Sequence, residues 1–238
     1  MNISVAADPA QLARNVADWM LAYERAVLAK QGRFTIALSG GSTPKALHQL
    51  LAKAPYRDKF SWDKWHVFWG DERYVPRTDE RNNARMAFDT LLNHVPVPNN
   101  QIHEMRTSME PIASMQAYEK TLHRYFDGQP HTFDLVLLGM GDDGHTLSLF
   151  PNTPVVREQT AWTSAYFLKK QNMYRLTLTA QVVNRSAAVA FMVAGANKAE
   201  PLREVLEGKF HPQKYPAQII QPAGELYWFV DRAASGEE

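Results

Sequence analysis

Apolar positions along the chain switch between two spacings. Leu12, Val16, Trp19, Tyr23 and Val27 recur at three- and four-residue steps, which draws one stripe on a helix. Asp8 precedes them as a capping residue, Pro9 fits the first turn, and Gly32 marks the expected end. The run Phe34-Thr35-Ile36-Ala37-Leu38 is continuous and short, as in a strand covered on both faces. A turn over 39–43 then leads to a helix that Pro44 opens and that runs through Leu51. The alternation continues with a strand over 66–69, a loop, and a helix over about 83–92. Pro111 opens another helix, with Ile112, Met115, Tyr118, Leu122 and Phe126 on its stripe. Strands are expected over 133–138, 174–178 and 187–193. A helix over about 199–206, stopped by Gly208, and a last strand over 226–230 complete the pattern.

Such alternation predicts an α/β fold of Rossmann-like type, a mostly parallel sheet with helices on both faces. A chain of 238 residues fits one domain over 1–238. Ligands of such sheets bind beyond the carboxyl ends of the strands. Four polar, glycine-containing loops follow predicted buried strands. They are Ser39-Gly40-Gly41-Ser42-Thr43, Gly70-Asp71-Glu72-Arg73, Gly139-Met140-Gly141-Asp142-Asp143-Gly144-His145 and Gly195-Ala196-Asn197-Lys198. Four such loops at one sheet edge make a site.

Composition narrows the chemistry. Twenty-six Lys and Arg against 25 Asp and Glu leave a net charge of +1, which argues against a nucleic-acid or membrane partner. There is no cysteine, so disulfides, cysteine-based metal sites and a cysteine nucleophile are excluded. No His pair has metal-ligand spacing, and no metal is expected. The longest apolar stretch, 187–196, is about half the roughly 20 residues of a membrane span. No targeting segment is legible, and a soluble cytoplasmic location is the expectation. The segment 233–238 is expected to fray.

Gly40, Gly41, Ser42, Thr43 and Pro44 read as an anion cradle. Adjacent glycines let the backbone turn close to a ligand, and free N–H groups at a helix start face it. The sequence is neither a dinucleotide fingerprint nor a Walker loop. His145 is the sharpest chemical signal, the one histidine of eight inside a glycine-rich loop directly after a buried strand. An imidazole there can take a proton from water, and Asp143 can fix its tautomer. The plainer alternative is a structural histidine capping the next helix. Asp71 and Glu72 read either as an acid–base pair or as an ion-pair cluster that orders the loop. Arg175 and Lys198 are candidate anion clamps. Trp62, Trp65 and Trp69 read as core, Lys169 and Lys170 as an exposed turn. The remaining histidines, His48, His66, His103 and His123 among them, read as partly buried or surface residues.

At these loops the sequence resembles the short 6-phosphogluconolactonases, relatives in fold of glucosamine-6-phosphate deaminases and ribose-5-phosphate isomerases. The matching pieces begin with Leu38 through Pro44 and with Val67-Phe68-Trp69-Gly70-Asp71-Glu72-Arg73-Tyr74-Val75-Pro76. They continue through Phe133 to Gly141, Asp143-Gly144-His145-Thr146 and Ser148-Leu149-Phe150-Pro151. Arg175-Leu176-Thr177-Leu178-Thr179, Gly195 with Lys198, Pro216-Ala217-Gln218 and Trp228-Phe229-Val230-Asp231 follow. Two departures are Asp142, where proline is usual, and Leu147, where alanine is usual. The resemblance implies hydrolysis of 6-phospho-D-glucono-1,5-lactone in the oxidative pentose phosphate pathway, without cofactor. It implies phosphate on the cradle, clamped by Arg175 and Lys198, with Arg73 at the border holding phosphate or sugar oxygens. His145 would activate water, oriented by Asp143. A monomer or weak homodimer is expected. Two rivals remain, a sugar-phosphate isomerase or deaminase and a non-catalytic sugar-phosphate sensor. The first lacks its Asp-Glu-Tyr here, because the chain has Asp71-Glu72-Arg73. The second lacks room for a DNA-binding unit.

Overall fold

The computed structural model describes residues 1–236. Six strands form the main sheet, in the order β1-β9-β8-β5-β2-β3, and every pairing in it is parallel. They are β1 (Asn2–Ala6), β2 (Phe34–Leu38), β3 (Trp65–Trp69), β5 (Leu135–Leu138), β8 (Ala188–Val193) and β9 (Glu225–Asp231). Period-two alternation sends Phe34, Ile36 and Leu38 of β2 to one face and Ala37 to the other. β8 does the same, with Ala190 and Met192 on the first face and Val189, Phe191 and Val193 on the second. Both faces are covered, which is why these strands read as nearly continuous apolar runs.

On the first face lie α1 (Pro9–Leu28), α2 (Ser42–Leu51) and α3 (Asn83–Ala87), the last continued by a π-helical turn Phe88–Leu92. The second face carries α4 (Pro111–Phe126) and α6 (Ala199–Glu207). It also carries a small antiparallel sheet of β4 (Asp71–Arg73), β7 (Met173–Leu178) and β6 (Thr163–Leu168). The short helices α5 (Ala180–Val183) and α7 (Arg232–Ser235) complete the chain. Among the described residues no helix is long and apolar enough to cross a membrane.

Several sequence expectations shift. The strand expected over 174–178 belongs to the antiparallel sheet, not the parallel one. The helix expected to open at Pro44 begins two residues earlier, at Ser42, because Gly41 at φ 104° already turns the chain. α1 stops at Leu28, before Gly32, where Lys30 and Gln31 donate back to the Val27 carbonyl. β5 begins at Leu135, since the Asp134 carboxylate is engaged with Thr35 N and Oγ1 at 2.7 Å. The tail was expected to fray, yet Ala234 is buried and Asp231 caps α7 through Ala234 N. Positions 237 and 238 of that expectation lie outside the described residues.

His48, expected at best partly buried, is fully enclosed on α2, and its Nε2 has no partner among the described residues. Burial lowers its pKa to about 4. An unfolded chain holds that proton up to about pH 6.5. Stability from a neutral His48 is therefore complete above pH 6.5 and is lost as pH falls toward 4. Between pH 7 and pH 5 the loss from this group is about 2 kcal/mol, at roughly 1.4 kcal/mol per unit. Urea unfolding of His48→Leu should show a correspondingly smaller drop over that interval. Equal drops in both proteins would refute the assignment.

Candidate active site

The four loops singled out in the sequence emerge from neighbouring strands β8, β5, β2 and β3 at their carboxyl ends. They line one cavity of about 240 Å³. Gly40, Gly41, Ser42, Thr43, Arg73, His145, Arg175 and Lys198 all face it. Asp143 stands behind His145.

The cradle follows from β2 and α2. No side chain caps α2. Pro44 removes one first-turn donor, and the N–H groups of Ser42 and Thr43 remain at the positive end of the helix dipole. Gly40 is glycine for a separate reason. A Cβ there would collide with Asn83 Oδ1, the atom that accepts from Arg73 Nη1 at 2.9 Å.

At Gly70 the chain leaves the parallel sheet and starts the antiparallel one. Gly70 N donates to Leu38 O, and Leu178 N donates to Gly70 O. The β4–β7 register sets Arg73 directly opposite Arg175, and Asp71 opposite Thr177. Like charges face to face on a ladder repel. Asp71 relieves this by pairing with Arg175, Oδ2 to Nη2 at 3.0 Å, with both side chains buried. Ser148 Oγ bridges the pair, donating to Asp71 Oδ2 at 2.7 Å and accepting from Arg175 Nε at 2.9 Å. The charge of Arg175 is therefore balanced within the protein. Arg73 and Lys198 take part in no ion pair among the described residues, so they give the cavity its positive field.

Glu72 points to the other face of β4. Its carboxylate accepts from Arg73 N, Asn83 N and Ala84 N and closes the start of α3. Burial pushes its pKa up to about 7, against these donors. Of the two roles open to Asp71 and Glu72, the structure gives the structural one: a buried cluster that fixes the Arg73 loop.

The loop after β5 folds on itself through Gly141 N to His145 O and Gly144 N to Gly141 O. Gly144 needs its positive φ of 74° for this, and a Cβ on Gly141 would collide with the His145 ring. His145 Nδ1 lies 2.5 Å from Asp143 Oδ1, and the ring stacks on Phe150 at 4.0 Å between centroids. A carboxylate only accepts, so Nδ1 carries the proton and Nε2 keeps its lone pair. Burial alone would raise Asp143. The bonds from His145, the charge on that ring when protonated and nearby Lys170 together hold the carboxyl well below the usual range.

Lys198 closes a tight turn, Ala196–Lys198, after Gly195 at φ 100°. Asp231 anchors that turn by accepting from Gly195 N at 3.0 Å. The structure thus brings Gly40, Gly41, Ser42, Thr43, Arg73, His145, Arg175 and Lys198 to one cavity, with Asp143 behind His145 and Glu72 turned away. The sequence reading missed Asn83, which steers Arg73 and has no motif around it. It also gave no role to Ser148 or Phe150, although both sit in quoted motifs. Leu147, at φ 53°, adds an apolar wall against Gly70.

Comparison with known proteins agrees with this geometry. Residues 7–228 match the family model described as glucosamine-6-phosphate isomerases/6-phosphogluconolactonase. A 6-phosphogluconolactonase of Synechocystis sp. is 44% identical over 211 residues, covering 87% of this chain and 85% of that protein. One from Nostoc sp. is 41% identical over 239 residues, covering 99% and 97%. The structure of 6-phosphogluconolactonase from Trypanosoma brucei superposes with a TM-score of 0.86 at 26% identity, covering 99% and 97% of the two chains. The chain belongs to the glucosamine-6-phosphate isomerase/6-phosphogluconolactonase family.

Proposed function

We propose that this protein hydrolyses 6-phospho-D-glucono-1,5-lactone to 6-phosphogluconate, residues 1–238 acting as one domain without metal or organic cofactor. The observation that carries this reading is His145, backed by Asp143, facing the same cavity as the uncapped start of α2. An ester carbonyl is already electrophilic, so the protein has to position water, accept its proton and hold the substrate. The phosphate lies on Gly40, Gly41, Ser42 and Thr43, with Lys198 supplying charge and Arg175 supplying donors fixed in direction. Arg73 borders the bound molecule and donates to phosphate or sugar oxygens. His145 Nε2 takes a proton from water as the oxygen attacks C1. The tetrahedral oxyanion then collapses, the C1–ring oxygen bond breaks, and the imidazolium returns its proton to the leaving oxygen. The product is the open-chain acid, which ionises at neutral pH.

The test is lactone hydrolysis on fresh substrate, corrected for the spontaneous reaction, beside turnover of fructose 6-phosphate and glucosamine 6-phosphate. Activity on either of the latter without lactone hydrolysis would overturn the reading. The phosphate assignment has its own test. A hydrogen bond to a charged group contributes about 1.5–3 kcal/mol, so Lys198→Ala should lower kcat/KM by roughly ten- to a hundredfold on the phosphorylated lactone. Unphosphorylated gluconolactone should be a poor substrate for both proteins and indifferent to the change. Equal losses on both lactones would remove Lys198 from the phosphate.

A further inference from the structure

The turn between β6 and β7 reaches both halves of the site with adjacent side chains. It spans Lys169–Gln171 and is closed by Asn172 in the left-handed region at φ 50°. Gln171 Oε1 accepts from Arg175 Nη1 at 2.8 Å. Lys170 Nζ lies 3.5 Å from Asp143 Oδ2. Neither residue lines the cavity, and the sequence alone reads the segment as an exposed turn.

Arg175 offers five N–H donors in a rigid fork. Ser148 takes one at Nε, Asp71 one at Nη2 and Gln171 one at Nη1, which leaves two for a ligand. The first two acceptors are buried within the site, and the third comes from the turn. Gln171 is neutral, so it fixes the third arm without adding a second negative charge to the one Asp71 already brings. On the other side, Asp143 commits Oδ1 to His145 and leaves Oδ2 toward Lys170. Because Lys170 is 73% exposed, its pull on that oxygen is weakened by solvent.

We propose that this turn positions the two halves separately: Gln171 aims the free donors of Arg175 at the phosphate, and Lys170 steadies the carboxylate that orients His145. The proposal rests on the reading that Arg175 faces phosphate and His145 faces the lactone carbon. It assigns opposite kinetic signatures to two neighbouring residues. Gln171→Ala raises KM for the phosphorylated lactone about five- to tenfold and leaves kcat within twofold, the size expected of one bond to a charged group at a partly exposed position. Gln171→Glu raises KM further, although it keeps an acceptor, because a second carboxylate turns the cluster negative. Lys170→Met lowers kcat about two- to fivefold at unchanged KM, and Lys170→Arg restores it.

Titration calorimetry with inorganic phosphate reads the Arg175 half without turnover. Affinity should fall about five- to tenfold in Gln171→Ala and stay level in Lys170→Met. A turn with a merely structural role would move kcat and KM together in both variants, and that result overturns the proposal. So does a Gln171→Ala protein with wild-type KM and phosphate affinity. If the wild-type protein fails to hydrolyse the lactone while the phosphate pattern holds, the lactone reading falls and the Gln171 assignment stands.

Discussion

His145→Asn should lower kcat by about 10²–10⁴-fold, the contribution of a positioned general base. Asparagine approximates the size and hydrogen-bonding reach of the ring but cannot accept the proton. The titratable side chains lining the cavity are Asp71, Arg73, His145, Arg175 and Lys198. Asp71 is engaged by Arg175 and Ser148, so in the proposed mechanism the proton acceptor for water is His145. Affinity for inorganic phosphate should stay near wild type, because the cradle and Lys198 are untouched. The alternative role, a histidine that only caps and packs the loop, predicts lower stability and an unchanged kcat in the folded fraction. Rapid-quench or pH-stat kinetics on variant shown to be folded by circular dichroism separates the two. A folded His145→Asn protein with wild-type kcat would take His145 out of the mechanism.

Legibility in the sequence followed burial. The strands β5 and β8 are covered on both faces, so each needs an unbroken apolar run and shows one, and β2 and β3 depart from it by a single polar residue each, Thr35 and His66. β1 escaped notice because it is an edge strand: Ile3 and Val5 are exposed, and main-chain pairing to β9 holds it. β4 escaped because it has three residues, all charged, whose strand conformation comes from the ladder with β7. β6 is half-exposed and pairs only with β7. The site was legible for another reason. Glycines forced by close approach, as at Gly40 and Gly141, leave a mark in the sequence at the cavity. The partner that each glycine admits is distant in sequence at Gly40, where it is Asn83, and local at Gly141, where it is His145. Only the second could be read without coordinates. The Asp71–Arg175 pair illustrates the same limit, since the two residues are brought together by a ladder register across 104 positions.

That pair should also carry a large part of the stability around the cavity. Asp71→Ala removes a carboxylate from a buried ion pair and leaves Arg175 charged, enclosed and directly opposite Arg73. Breaking a buried pair at one partner costs about 3–5 kcal/mol, mostly through the charge left unpaired. The Ser148 hydroxyl loses its acceptor at the same time. The unfolding free energy of Asp71→Ala from urea titration should fall by that amount, and lactone turnover should fall with it as Arg175 loses its fixed direction. Replacing both partners gives a different expectation. Asp71→Leu with Arg175→Met removes the two desolvated charges together, and such exchanges are commonly neutral or stabilising. The double variant should regain most of the lost stability yet bind phosphate poorly. An Asp71→Ala protein within about 1 kcal/mol of wild type would place the pair among the weak, solvent-screened bridges. Recovery of stability in the double variant would instead show that an apolar pair holds the fold equally well at this position, so that stability alone gives no reason to keep the two buried charges.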